Sequence, residues 1–229
     1  MSSKSLENLK VGLAEVSALR VARSNPGSRT KDTQPQLLRA LGRAQVVLLS
    51  AHLERYVYSV TEESVDHVLN GRIESQLLSE ELRLIHSQDF IDKMGRTHWN
   101  NRSQQLREFG QHESKLWVDG AVIDRLVPEQ LLGWMKAPNP KNLKRAFQIW
   151  GTEDIFESIT RTAVTRSRLW MRINELVEKR NNIAHGDFTV EAQSTDVTEY
   201  VSAVRRFCER TDRKMARNLV VITGGTPPW

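Results

Sequence analysis

The segment RNNIAHG, residues 180 to 186, places Arg180 and His185 five apart with Asn181 and Asn182 directly after the arginine. A guanidinium grips a phosphate in a planar fork, and an imidazole takes or gives a proton near neutral pH. The pair has the chemistry of a phosphate clamp beside a proton carrier. On an ideal helix the two lie about 140° apart, whereas Asn181 and His185, four apart, share a face. Arg180 and His185 therefore converge only where the helix ends, and Gly186 supplies that end.

Each residue also has an ordinary reading. Arg180 follows Ile173 by seven and Leu176 by four, so it sits on an aliphatic stripe, from which an arginine snorkels or pairs with a carboxylate. A histidine in the last turn before a glycine is favoured by the negative helix end alone. The spacing carries nothing by itself, because Arg107 and His112 in REFGQH repeat it. That second match has Gly110 inside it and no long amphipathic helix around it, and is set aside.

The helix that must carry RNNIAHG runs from about residue 159 to 184, with Leu169, Ile173, Leu176, Val177 and Ala184 on its stripe. Before it, Leu6, Leu9, Leu13, Val16 and Leu19 mark a helix over residues 5 to 24, stopped by Asn25, Pro26 and Gly27. After the polar loop SRTKDTQ, Pro35 opens a helix that runs to about residue 70 and Gly71. Its middle, VVLLSAHLERYVYSV, is apolar on nearly every side, as suits a central helix with some surface kept for a partner. Glu54 falls in that apolar middle, and a contact with Arg180 would satisfy both charges.

Helices follow at 79 to 93 and 142 to 150, and a last one opens on Thr195 or Asp196 as its cap. That last helix carries Val197, Val201, Val204, Phe207, Cys208, Met215 and Leu219 on one side. Between residues 95 and 140 the pattern breaks into short pieces, an insertion over the core or a substrate-facing cap. The expectation is one all-α, bundle-like domain over 1–229: core helices over about 5–93 and 142–220, a cap-like insert over about 94–141, and a flexible tail over 223–229.

Composition narrows the chemistry. The net charge is +5, and arginine outnumbers lysine more than two to one, which favours a phosphate-bearing partner. Cys208 is the single cysteine, so an internal disulfide and a thiolate zinc site are excluded; on an apolar face it reads as core. The histidines form no metal-ligand pair, so neither metal nor cofactor is expected. No signal-peptide pattern and no membrane-length apolar run is present, and the expected setting is the cytoplasm. His52 and His67 have no paired context. Trp99, Trp117, Trp134 and Trp150 suit base stacking or packing, and Arg161, Arg166, Arg168 and Arg172 a solvated face or a backbone track.

In its context, INELVEKRNNIAHGDF resembles the arginine and histidine signature of HEPN domains, in which a polar residue, often Asn, follows the arginine and the motif closes a helix of a small bundle. KAPNPKNLKRAFQIWG and ALGRAQVVLLSAHLERYV are similar to the RiboL-PSP-HEPN group, over about residues 6 to 207. The resemblance implies a metal-independent endoribonuclease working as a symmetric homodimer, with the motifs of both subunits meeting in one cleft. It also implies a toxin–antitoxin or antiviral defence setting with a controlling partner protein, and an acidic or polar residue upstream, for which Glu54 is the candidate.

Cleavage of RNA beside its own 2′-hydroxyl needs a proton acceptor, a stabiliser of the phosphorane and a proton donor. His185 fits the first or last role and Arg180 the second; Asn181 holds the phosphate or orients His185, with Asn182 as a helper. Single-stranded or loop RNA is the expected substrate, since its nucleotides reach in-line geometry. Two rival readings are a non-catalytic dimerisation or regulatory module of a defence or restriction complex, and a DNA-binding helical protein, for which no helix-turn-helix pattern is found.

Overall fold

The computed structural model describes residues 2–24, 34–225 and 227–229; the expected stop at residues 25 to 27 and most of the SRTKDTQ loop lie outside these. Among the described residues ten α-helices follow one another: α1 (Lys4–Ser24), α2 (Gln34–Gly71), α3 (Glu80–Arg96), α4 (Arg102–His112), α5 (Ser114–Trp117), α6 (Pro128–Leu132), α7 (Pro140–Gln148), α8 (Ile155–Ser158), α9 (Ala163–Ala184) and α10 (Ser194–Thr223). Among the described residues no strand forms; Glu74 and Val122 make an isolated antiparallel bridge. No helix among the described residues is long and apolar enough to cross a membrane.

The central position expected of α2 follows from its apolar circumference: Val46, Leu49, Leu53, Tyr56, Val57 and Val60 are all buried, and α1, α9, α10 and α6 pack around it. Helix α1 comes close because Gly12 has no side chain; a Cβ there would lie 2.4 Å from the His52 ring. That ring, unpaired in the sequence reading, stands 3.1 Å from Glu15 of α1. The start of α1 is held by carboxylates from its neighbours. Glu63 of α2 accepts from the Lys4 and Ser5 amides at 3.1 and 2.6 Å, and Asp212 of α10 accepts from the Ser3 amide at 3.3 Å. Negative groups are favourable at a helix N-terminus.

Capping side chains set the shorter helices. Ser79 accepts from the Leu82 amide at 3.1 Å to open α3, Asn139 from Asn142 at 2.9 Å to open α7, and Asp154 from Glu157 at 3.1 Å to open α8. The helix read from residue 159 begins instead at Ala163, because extended Thr162 caps it by accepting from the Thr165 amide at 3.2 Å. Helix α10 likewise starts at Ser194 rather than being capped by Thr195 or Asp196; the carbonyl of Gln193 takes the first helical bond, from Val197, at 3.1 Å.

Residues 95 to 140 hold more helix than the broken pattern suggested, since α4 continues for eleven residues through Gly110. REFGQH is therefore helical, and His112 packs beside Phe90 with ring centroids 6.3 Å apart. Under this region lies a buried polar cluster. The Val127 amide donates to His86 Nε2 at 2.9 Å, so Nδ1 carries the proton and donates to Glu113 at 2.8 Å. Ser87 donates to the same carboxylate at 2.7 Å, and Trp117 Nε1 to Ser87 at 3.0 Å. Helix α10 reaches Thr223, and Trp229 packs against the edge of the core.

Replacing His86 by Leu keeps bulk but leaves the Val127 amide and the Glu113 carboxylate without their partner. A loss of about 2–3 kcal/mol is expected from leaving these buried groups short of a hydrogen-bond partner. Urea unfolding of the two chains measures it, and an unchanged midpoint would contradict the cluster's role.

Candidate functional site

Helix α9 buries Leu169, Ile173, Leu176 and Val177. The stripe was expected to extend to Ala184, but Ala184 is exposed and Ile183 is the last side chain packed on the core, because the helix there runs past the edge of the bundle. The charged end of the motif thus emerges where the core stops.

The ending is a paired-bond cap. His185 is the C-cap residue, its amide donating to the Asn181 carbonyl at 2.9 Å. The Gly186 amide donates to Ile183 at 3.2 Å, and the Asp187 amide to Asn182 at 3.0 Å. This is the Schellman arrangement, and it requires a left-handed residue just past the cap. Gly186 has φ +85°, a conformation that costs any L side chain about 1–2 kcal/mol.

Glu54 and Arg180 do come together, with Oε2 and Nη2 4.0 Å apart. The contact is at the rim and not in a buried interior, the side chains being 28% and 32% exposed. Arg180 Nη1 also donates to Asn181 Oδ1 at 3.1 Å, which turns the guanidinium along the helix end. Asn182 is exposed and points away from this group, lining a groove with Lys179, Asp196 and Tyr200; there Lys179 pairs with Asp196 at 2.6 Å. His185 is exposed, and among the described residues its imidazole has no hydrogen-bond or ionic partner.

Two neighbours escaped the sequence reading. Arg43 Nη1 donates to the Asp187 carbonyl at 2.6 Å, and its guanidinium lies 5.6 Å from the centre of the exposed Phe188 ring. Arg39 pairs with Glu191 at 3.0 Å. Together they pin the chain leaving α9 to the first half of α2. The available signal was that Arg43 precedes Glu54 by eleven residues, three turns, and so shares its stripe. Tyr58, one turn beyond Glu54, donates to the Leu132 carbonyl at 3.2 Å and joins the stripe to α6.

The remaining candidates are distributed elsewhere. Cys208 is fully buried and its thiol is pushed well up by burial. Trp150 is core, Trp117 and Trp134 sit beneath the guanidiniums of Arg83 and Arg145, and Trp99 is 75% exposed. Arg166 pairs with Glu157, and Arg168 and Arg172 with Glu199. Among the described residues no three His, Cys, Asp or Glu side chains gather as a metal site would need.

Burial raises the Glu54 carboxyl above its ordinary range, and Arg180 pulls it back only in part. A carboxyl raised on folding prefers to be protonated in the folded chain. Its contribution to stability is therefore present below the ordinary carboxylate range and lost as pH rises through the raised pKa. Glu54→Gln removes that loss, so the melting temperature of the variant relative to wild type should rise as pH is raised from below the ordinary carboxylate range through the raised pKa. A relative loss over that interval would show that the Arg180 attraction outweighs desolvation.

The RiboL-PSP-HEPN family matches residues 14–217, a span that includes α2, α9, the capped motif and most of α10. No curated protein and no solved structure matches the chain. With an all-helical fold and a match over most of its length, the chain belongs to the RiboL-PSP-HEPN family of HEPN domains.

Proposed function

We propose that this protein is a cytoplasmic, metal-independent endoribonuclease that cleaves single-stranded or loop RNA by attack of the 2′-hydroxyl, leaving a 2′,3′-cyclic phosphate and a 5′-hydroxyl. The observation that carries the reading is the end of α9: an imidazole at the C-cap with no partner among the described residues, five positions after an arginine whose carboxylate contact is stretched to 4.0 Å. Arg180 neutralises charge on the phosphorane. Asn181, hydrogen-bonded to Arg180, positions that guanidinium or the phosphate. Glu54 orients Arg180 from α2, and Asn182 stands apart as a helper at most.

One imidazole cannot be proton acceptor and donor in the same step. A second copy of the chain, related by a two-fold axis, supplies the other. Val164 and Met171, seven apart on the outward side of α9, are 80% and 45% exposed, and Phe188 beyond its end is 85% exposed. Phe188 adjoins the motif and Val164 stands at the far end of α9, so these apolar groups favour a partner surface running along the outward side of the whole helix. The biological setting is a toxin or antiviral effector held in check by a partner protein.

His185→Ala should lower cleavage of a single-stranded RNA about 10²–10⁴-fold, the usual range for a proton-transfer group. Arg180→Ala should cost about 10²–10³, as for loss of a charge stabiliser. Mixing the two inactive chains should restore part of the activity if each cleft takes its arginine and histidine from different subunits. Equal cleavage, or equal absence of it, by wild type and His185→Ala would leave the non-catalytic module as the better reading.

A further inference from the structure

The last helix carries a second feature, at the opposite end of α9 from RNNIAHG. A cleft of about 480 Å³ opens between the second half of α10 and residues 158 to 161, and five of its eight lining residues are Arg161, Arg210, Arg213, Lys214 and Arg217. None of the eight is acidic. Elsewhere Arg39, Arg55, Arg166, Arg168 and Arg172 each have a carboxylate within 4.0 Å. In the neighbouring groove between α9 and α10, Glu199 offsets Arg168 and Arg172.

The four α10 residues lie at spacings of three, one and three, which puts them on a single face over two turns, about 10 Å of axis. Arg210 is fixed by a 2.8 Å bond to the Ile159 carbonyl, and Arg213 by a 3.1 Å bond from Nε to the Glu209 carbonyl, which leaves its terminal nitrogens without a partner among the described residues. Arg161, Lys214 and Arg217 have no hydrogen-bonding or ionic partner among the described residues. Holding five cations together without a counter-charge costs stability unless an anion meets them. The single apolar side chain in the lining, Ile159, is itself buried, so the cleft has no anchor for an apolar peptide. Planar guanidiniums in a row match phosphodiester oxygens.

We infer that this cleft is a second nucleic-acid contact, a track for the phosphate backbone of single-stranded RNA that lies about 26 Å along α9 from Arg180, at 1.5 Å per residue. It rests on the proposed activity only in the choice of RNA as the polyanion. The track holds the strand through its backbone, without reading bases, and delivers a distant part of the same strand to the motif.

The test separates binding from cutting. On a His185→Ala background, binding of a fluorescein-labelled 20-nucleotide oligouridylate is followed by anisotropy over a salt series. Arg161→Ala, Arg213→Ala and Arg217→Ala together should weaken binding at least about tenfold at low salt. They should also make the slope of log K against log salt shallower by about 2, at about 0.7 per single-strand phosphate. Lys10→Ala, Lys93→Ala and Lys115→Ala remove the same charge from residues already paired with Glu7, Glu108 and Asp124, and should leave binding unchanged. Unchanged binding in the arginine triple variant, equal losses in both triples, or no RNA binding by the parent chain would overturn the track. Competition by polyglutamate as effective as that by unlabelled RNA would do so too, by showing a site for acidic peptide. None of these outcomes depends on cleavage, so the track can fail while His185-dependent cutting stands, and the reverse.

Discussion

An arginine and a histidine five residues apart point in different directions on a straight helix, so the motif depends on where the chain leaves α9 and how it turns. Two effects of different size decide that. Burial of Leu169, Ile173, Leu176 and Val177 fixes the helix on the bundle at about 1.5–3 kcal/mol per side chain. The choice of Gly186 as the first left-handed residue is worth about 1–2 kcal/mol. Packing sets the depth of the helix, and the smaller effect selects the residue at which backbone amides fold back onto Asn181, Asn182 and Ile183. His185 occupies the C-cap because of that selection.

Helix α2 then does for the other side of the motif what the cap does for the histidine. Its apolar circumference makes it the helix against which the others pack, and a single stripe carries Arg43, Glu54 and Tyr58. Arg43 holds the outgoing chain through Asp187, Glu54 faces Arg180, and Tyr58 reaches the Leu132 carbonyl. Glu54 shows the tension in this arrangement. Desolvation disfavours its charge more than Arg180 favours it, which is the expected balance for a pair left at a half-exposed rim.

Much of this was legible from residue spacing. The three- and four-residue periodicity of α1, α2, α9 and α10 gave their existence and their buried faces, and Gly186 announced the end of the motif helix. Boundaries failed where a cap or a backbone carbonyl overrode the apolar pattern, as at Thr162 and Gln193. The segment from 95 to 140 was read as broken because Gly110 sits in mid-helix and because a buried polar cluster ties part of it to α3. His86, Ser87, Glu113 and Trp117 satisfy one another across three elements, a relation that no periodicity encodes. Ala184 misled for a related reason: periodicity tells which face a residue occupies and not whether the core reaches that far. Arg43 was missed because its contact is to a carbonyl 144 positions away in sequence.

The charge of the chain is unevenly employed. Most arginines on α2 and α9 are held by carboxylates, while the second half of α10 gathers four cations on a single face with Arg161 opposite. A protein that acts on a long polyanion gains from such a division, with neutral ion-paired surfaces where chains pack and free cations where a strand runs. The central claim concerns the chemistry at the other end of α9, and the ends of the RNA fragments test it most directly. Purified protein incubated with single-stranded RNA in the presence of a chelator should yield fragments with 2′,3′-cyclic phosphate and 5′-hydroxyl ends, and a strand with 2′-deoxyribose throughout should remain whole. Fragments bearing 5′-phosphates, or cutting that persists on the 2′-deoxy strand, would contradict the account.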